Sequence, residues 1–100
     1  MTPLFSIDPD CSTAYVSYRP SRAIVRQVKV VRGRSGRLGA IPCGATVDCA
    51  SQLIADYDAA GEVVGVQLLG LELQTLSLAA EFLELVDLPL PGPLARTFVG

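Results

Sequence analysis

The chain has 100 residues, enough for one domain with a thin core. Half of the residues are hydrophobic, only 6% are aromatic and none is Trp, so the core is aliphatic and intrinsic disorder is excluded. His is absent, which removes the commonest general base and the commonest metal ligand together. The net charge of −2 hides a division: every basic residue except Arg96 lies from Arg19 to Arg37, and no acid lies between Asp10 and Asp48.

Pro3 to Ile7 predicts a short strand and Asp8-Pro9-Asp10 a turn, because Pro presets its backbone dihedral and Asp caps its own chain. Thr13 to Tyr18 is β-branched and aromatic and completes a hairpin. After the break at Pro20-Ser21, Ala23 to Val31 reads as a third strand with charge on both faces. Arg26 falls with Val28 and Val30, and Lys29 with Val25 and Val31. That mixture predicts an edge strand, where positive charge discourages unwanted pairing. Gly33 to Gly39 reads as a flexible loop. Ala40 to Ala50 has no clear period, and Ile41-Pro42 with Gly44 argues against a central strand there. Residues 33–49 are therefore expected to be a loop insertion.

Ser51 to Tyr57 predicts a strand with Leu53, Ala55 and Tyr57 on one face. Asp58-Ala59-Ala60-Gly61 fits a type I turn closed by Gly in the left-handed region, with the Asp58 side chain accepting from amides ahead of it. In the strand that follows, Val64, Val66 and Leu68 are expected on the core face, and Gly65 marks a close approach. From Thr75 to Val86 the polar residues Ser77, Glu81 and Glu84 recur at helical spacing. The apolar remainder forms two stripes: Leu76, Ala79, Ala80, Leu83 and Val86 on one, Leu78, Phe82 and Leu85 on the other. One sheet face covers about one stripe, so a second contact is expected, either a homodimer through Leu78, Phe82 and Leu85 or, if those pack inward, through the Leu76 stripe. Asp87 and Pro89 end the helix, and residues 89–100 read as a Pro-rich tail after a domain spanning residues 1–88.

Ser6-Ile7-Asp8-Pro9-Asp10, Tyr15-Val16, Asp56-Tyr57-Asp58, Gly61, Val64-Gly65-Val66 and Leu68-Leu69 together resemble the small bacterial and phage domain of unknown function 2283. The resemblance runs from about Phe5 to Leu71 and rests on Asp8, Tyr15, Asp56, Asp58, Gly61 and Gly65. Ile7 stands where that family has Tyr, Ser12 where it has a second Asp, and Gln67 where it has Glu. The resemblance implies a small antiparallel sheet and a phage- or prophage-encoded accessory protein. It implies no activity, cofactor or catalytic residue.

The remaining motifs are read from their chemistry. Asp56-x-Asp58-x-x-Gly61 imitates the start of a calcium loop, but Ala60 and Gln67 stand where two oxygen ligands belong. Cys11, Cys43 and Cys49 have neither the paired spacing nor the fourth ligand of a zinc site, and an odd count is no secreted disulfide framework. Gly33-x-x-Gly36-x-x-Gly39 lacks the Gly-Lys-Ser/Thr of a phosphate loop. No nucleophile stands beside a base at a recognisable spacing. The basic block is the one positive signal: Arg26, Lys29, Arg32, Arg34 and Arg37 are candidates for tracking a nucleic-acid backbone within residues 19–37.

These readings predict an α+β domain, a meander of four to five antiparallel strands with a C-terminal helix. They predict a cytoplasmic, non-catalytic protein-interaction module without cofactor or metal, homodimeric, with nucleic-acid binding through residues 19–37 as the alternative.

Overall fold

Apolar side chains recur at every second position of the strands, and that period sorts them onto one face of an antiparallel sheet. The structure, a computed structural model, describes residues 4–32, 35–42, 52–70 and 72–94. The elements in chain order are β1 (Leu4–Asp8), β2 (Thr13–Ser17), β3 (Arg26–Arg32), β4 (Leu38–Pro42), β5 (Gln52–Tyr57), β6 (Val63–Leu69) and α1 (Leu73–Leu85).

The α+β class and the C-terminal helix stand, with six strands in place of four or five. Their order, β1-β2-β6-β5-β3-β4, is not a meander: three hairpins are laid side by side, and the last one is inserted between the first two. Every pairing is antiparallel.

This order corrects two expectations. β3 is interior, flanked by β5 and β4, although its charges predict an edge. The sheet tolerates them because Lys29 falls on the face away from α1 and the two arginines find local partners. Arg26 stacks over the Tyr57 ring at 4.8 Å, and Arg32 pairs with Glu81 of α1. The edge goes instead to β4, from the stretch expected to be a loop insertion. Pro42 closes β4, which suits the edge position because Pro has no N–H to donate to a further strand.

The core lies between the sheet and α1. Ala14, Val16 and Tyr18 of the β2 segment, Val30 of β3, Leu53 and Ala55 of β5, and Val66 and Leu68 of β6 pack against Leu78, Ala79, Phe82 and Leu83. Tyr57 joins at the margin, as its alternation with Leu53 and Ala55 predicts. Val64 is buried as expected, 3% exposed, but lies outside the cluster packed against α1. Asp56 pairs with Gly65 and Tyr57 with Val63, so Val64 is the extra residue of a bulge. The bulge turns Val63 into the core cluster in its place, and the Val64 carbonyl accepts from the amides of both Tyr18 and Arg19.

α1 begins two residues before the predicted Thr75 and ends where Asp87 and Pro89 predict. Asp87 takes φ of 59°, its amide donates to Glu84, and the Leu88 amide donates back to Leu83, a Schellman closure with Asp in the place usual for Gly. The Pro-rich segment is not free of the domain over its described part. The Tyr18 hydroxyl donates to the Pro89 carbonyl at 2.6 Å, and Leu94 is fully buried in the core. Residues 95–100, with Arg96, lie outside the described residues.

Candidate functional site

Five of the six residues on which the resemblance rests, Tyr15, Asp56, Asp58, Gly61 and Gly65, fall into two groups in space. On the sheet face opposite α1, the register sets Ser17, Gly65, Asp56 and Gln27 in one row across four strands. Tyr15, one row along, leans over Gly65 so closely that a β-carbon there would run into the Tyr15 hydroxyl and lie 2.7 Å from the Val16 carbonyl oxygen. Gly65 is the close approach its position predicts, and what approaches is a tyrosine of the neighbouring strand. The Tyr15 hydroxyl then donates to Asp56 Oδ2 at 2.9 Å, while Gln27 Nε2 donates to Oδ1 at 2.8 Å. Asp56 is 2% exposed, so each buried oxygen is satisfied by a neutral donor. Burial first, and the Asp56 carboxylate second, push the Tyr15 phenol up to about 12.

The second group is the β5–β6 turn. Asp58 Oδ1 accepts from the amides of Ala60 and Glu62 at 3.0 and 2.9 Å, and the Gly61 amide donates to the Asp58 carbonyl with Gly61 at φ of 80°. Oδ2 receives the Arg22 guanidinium at 2.9 Å. The Glu62 amide bond, reinforced by the Ala60 amide and by Arg22, holds this carboxyl below its usual range against the opposing effect of burial. Arg19 braces the same turn, pairing with Glu62 at 2.9 Å and donating to the Val63 carbonyl.

Asp8 joins neither group. Its Oδ1 accepts from the amides of Asp10 and Cys11 at 3.1 and 3.3 Å and caps the β1–β2 turn. Cys11 is exposed there, and its hydrogen bond to Asp8 raises the thiol pKa. Cys43, Cys49 and Arg34 lie outside the described residues, which hold no group of three His, Cys, Asp or Glu side chains placed to bind a metal.

The basic block is dispersed. Arg19 and Arg22 serve the Asp58 turn. Arg26 and Arg32 alternate with Val28 and Val30 and so lie on the α1 side, whereas Lys29 lies half-buried on the opposite face, level with Ile54. Arg37 is exposed in the β3–β4 turn. The helix residues expected at an interface also part. Leu78 and Phe82 are core residues alongside Ala79 and Leu83, so the sheet takes members of both stripes; Leu85 of the one, 73% exposed, and Ala80 of the other are left outside.

Leu85 points to a feature that sequence reasoning missed. It lines a groove between α1 and the edge strand, with Leu38, Ala40, Phe82 and Val86 as apolar walls. Toward the β3–β4 turn the groove continues between Arg37 and the Glu81 and Glu84 rim of the helix. β4 pairs only with β3 among the described residues, so its outer edge borders this groove. The available signal was the sequence Leu38-Gly-Ala-Ile-Pro42 itself, an uncharged run bounded by Gly-rich and Pro-containing segments. Gln27 gave no signal at all, since only register brings it to Asp56.

No family model, no curated protein and no solved structure matches the chain.

Proposed function

We propose that the chain is a non-catalytic protein-interaction module whose docking surface is the β4 edge with the groove between that edge and α1. One observation carries this reading: β4 contains no charged residue and pairs on one side only among the described residues. Monomeric proteins blunt such edges with charge, bulges, proline or covering elements; β4 carries Pro42 at its end, and the uncharged stretch Leu38–Ile41 before it is a template for another chain. The carboxylates of Asp56 and Asp58 support the non-catalytic half, because every oxygen of both already accepts a hydrogen bond.

Cross-linked capture from cells of the source organism, with wild type beside Leu85→Glu, tests the reading. Wild type should retain a specific protein that the variant loses. Equal retention by both, or a salt-dependent gel shift with nucleic acid lost on replacing Arg32 and Arg37, would overturn it. Light scattering on the same sample reports whether a second copy of the chain is the partner.

A further inference from the structure

The groove constrains what can occupy it, and this inference rests on the function proposed above. β4 is five residues long, about 17 Å at the usual strand rise, and a layer spacing of about 10 Å gives a strip on the order of 170 Å². A standard protein–protein interface needs about 800 Å² from each partner. The strip supplies about a fifth of that, so a folded domain or a second copy would need contacts beyond it, whereas one short extended segment fills it. Leu38 and Ala40 stand opposite Arg32 and Val30, so both are on the α1 side and present the groove with apolar contacts at alternate positions. A strand added to β4 would direct every second side chain into that space.

Charge narrows the occupant further. Of the two acids on the helix rim, Glu81 is paired with Arg32, while Glu84 pairs with no cation among the described residues. Arg37 stands across from it at the turn end, which disfavours a segment that is basic throughout.

We infer that the β4–α1 groove binds a short extended peptide by strand addition, with apolar side chains at alternate positions facing Leu38, Ala40 and Leu85 and a single Lys or Arg facing Glu84.

Selection of linear peptides from a random displayed library on the full chain, followed by amide chemical-shift mapping with a selected peptide, tests this. The enriched peptides should carry the alternating apolar pattern with one basic residue, and shifts should concentrate at Leu38–Ile41 and Leu85. Leu85→Glu, at an exposed position that leaves the fold intact, should weaken binding about tenfold or more. Glu84→Lys should exchange the basic preference for an acidic one. No enrichment, shifts centred on β1 or on the Tyr15 face, or an unchanged charge preference in Glu84→Lys would each overturn the inference. If peptides fail while cross-linked capture still yields a protein dependent on Leu85, the peptide inference falls and the interaction module stands. If capture fails as well, both fall.

Discussion

Asp56 and Asp58 are two residues apart, both nearly buried, and they solve the same problem in opposite ways. Asp58 is satisfied from within its own turn, by two backbone amides at most four residues away and by Arg22 at its solvent side. Asp56 is satisfied from across the sheet, by Tyr15 and Gln27, which are 41 and 29 residues away in the chain and both uncharged. The difference follows from position. A turn exposes its own N–H groups and lets a surface guanidinium in, whereas the middle of a strand has already committed its backbone to neighbouring strands. A carboxylate there can be satisfied only by side chains that register delivers.

The largest expected effect tests how tightly the long-range arrangement is packed. Gly65→Ala puts a β-carbon against the Tyr15 hydroxyl and the Val16 carbonyl oxygen. The backbone oxygen cannot swing away, so about 3 kcal/mol should be lost in urea unfolding, the upper end for overpacking. A loss below about 0.5 kcal/mol, the size of a neutral surface change, would show that Tyr15 moves aside freely.

Tyr15→Phe comes next. It keeps the ring over Gly65 but leaves Asp56 Oδ2 buried without its donor, which should cost about 2 kcal/mol. Asp56→Asn combined with Tyr15→Phe should recover part of that loss in a double-mutant cycle, and strict additivity would deny the coupling. The same phenol gives an alkaline signature. Its folded value near 12 lies above the ordinary value of 10, so its contribution is complete below pH 10 and is lost as pH rises toward 12. Tyr18, held near 12 by burial, behaves likewise. Phenolate absorbance followed through unfolding at high pH should show two late-titrating tyrosines in wild type and one in Tyr15→Phe.

Asp58→Asn should have a smaller effect, because the amide oxygen can still accept from Ala60 and Glu62, and its mark is in the pH dependence. The folded carboxyl titrates below the ordinary value of 3.8, so its charge stabilises the fold above that value and the benefit fades as pH falls through the lowered one. The gap in melting temperature between wild type and Asp58→Asn should therefore be open at pH 7 and close in acid. A gap independent of pH would mean that Arg22 and the turn amides do not sense the charge. Smallest of all, Cys11→Ser at the exposed β1–β2 turn should leave the urea unfolding midpoint unchanged, and a clear shift would show that the thiol is part of the packing.

The same contrast explains how much was legible beforehand. The Asp58 turn, Gly61, the alternation of Leu53 and Ala55, the closing of α1 at Asp87 and the Asp8 cap all depend on residues within about one turn or strand of each other, and local chemistry located them. β4 was missed because edge strands carry little pattern and because Gly39 and Pro42 read as loop residues. Mixed charge reads as an edge signal in β3, but Glu81 on α1 pairs with Arg32 and the Tyr57 ring on β5 receives Arg26, so the strand sits in the interior. Period places Val64 on the core face; it is buried, but the bulge brings Val63 in its stead into the cluster against α1.

From the sequence alone came the α+β class, the hairpin turns at Asp8–Asp10 and Asp58–Gly61, the core positions of Val66 and Leu68 and the absence of His chemistry, since each depends on composition or on short-range spacing. Only the tertiary structure decided the insertion of the last hairpin between the first two, the meeting of Tyr15, Gln27 and Asp56 over Gly65, the burial of Leu78 and Phe82 with Leu85 left outside, and the groove beside β4. Those features depend on which strands become neighbours. Strand neighbours are fixed by the burial of the whole apolar face against α1, a sum over the chain that no local stretch contains.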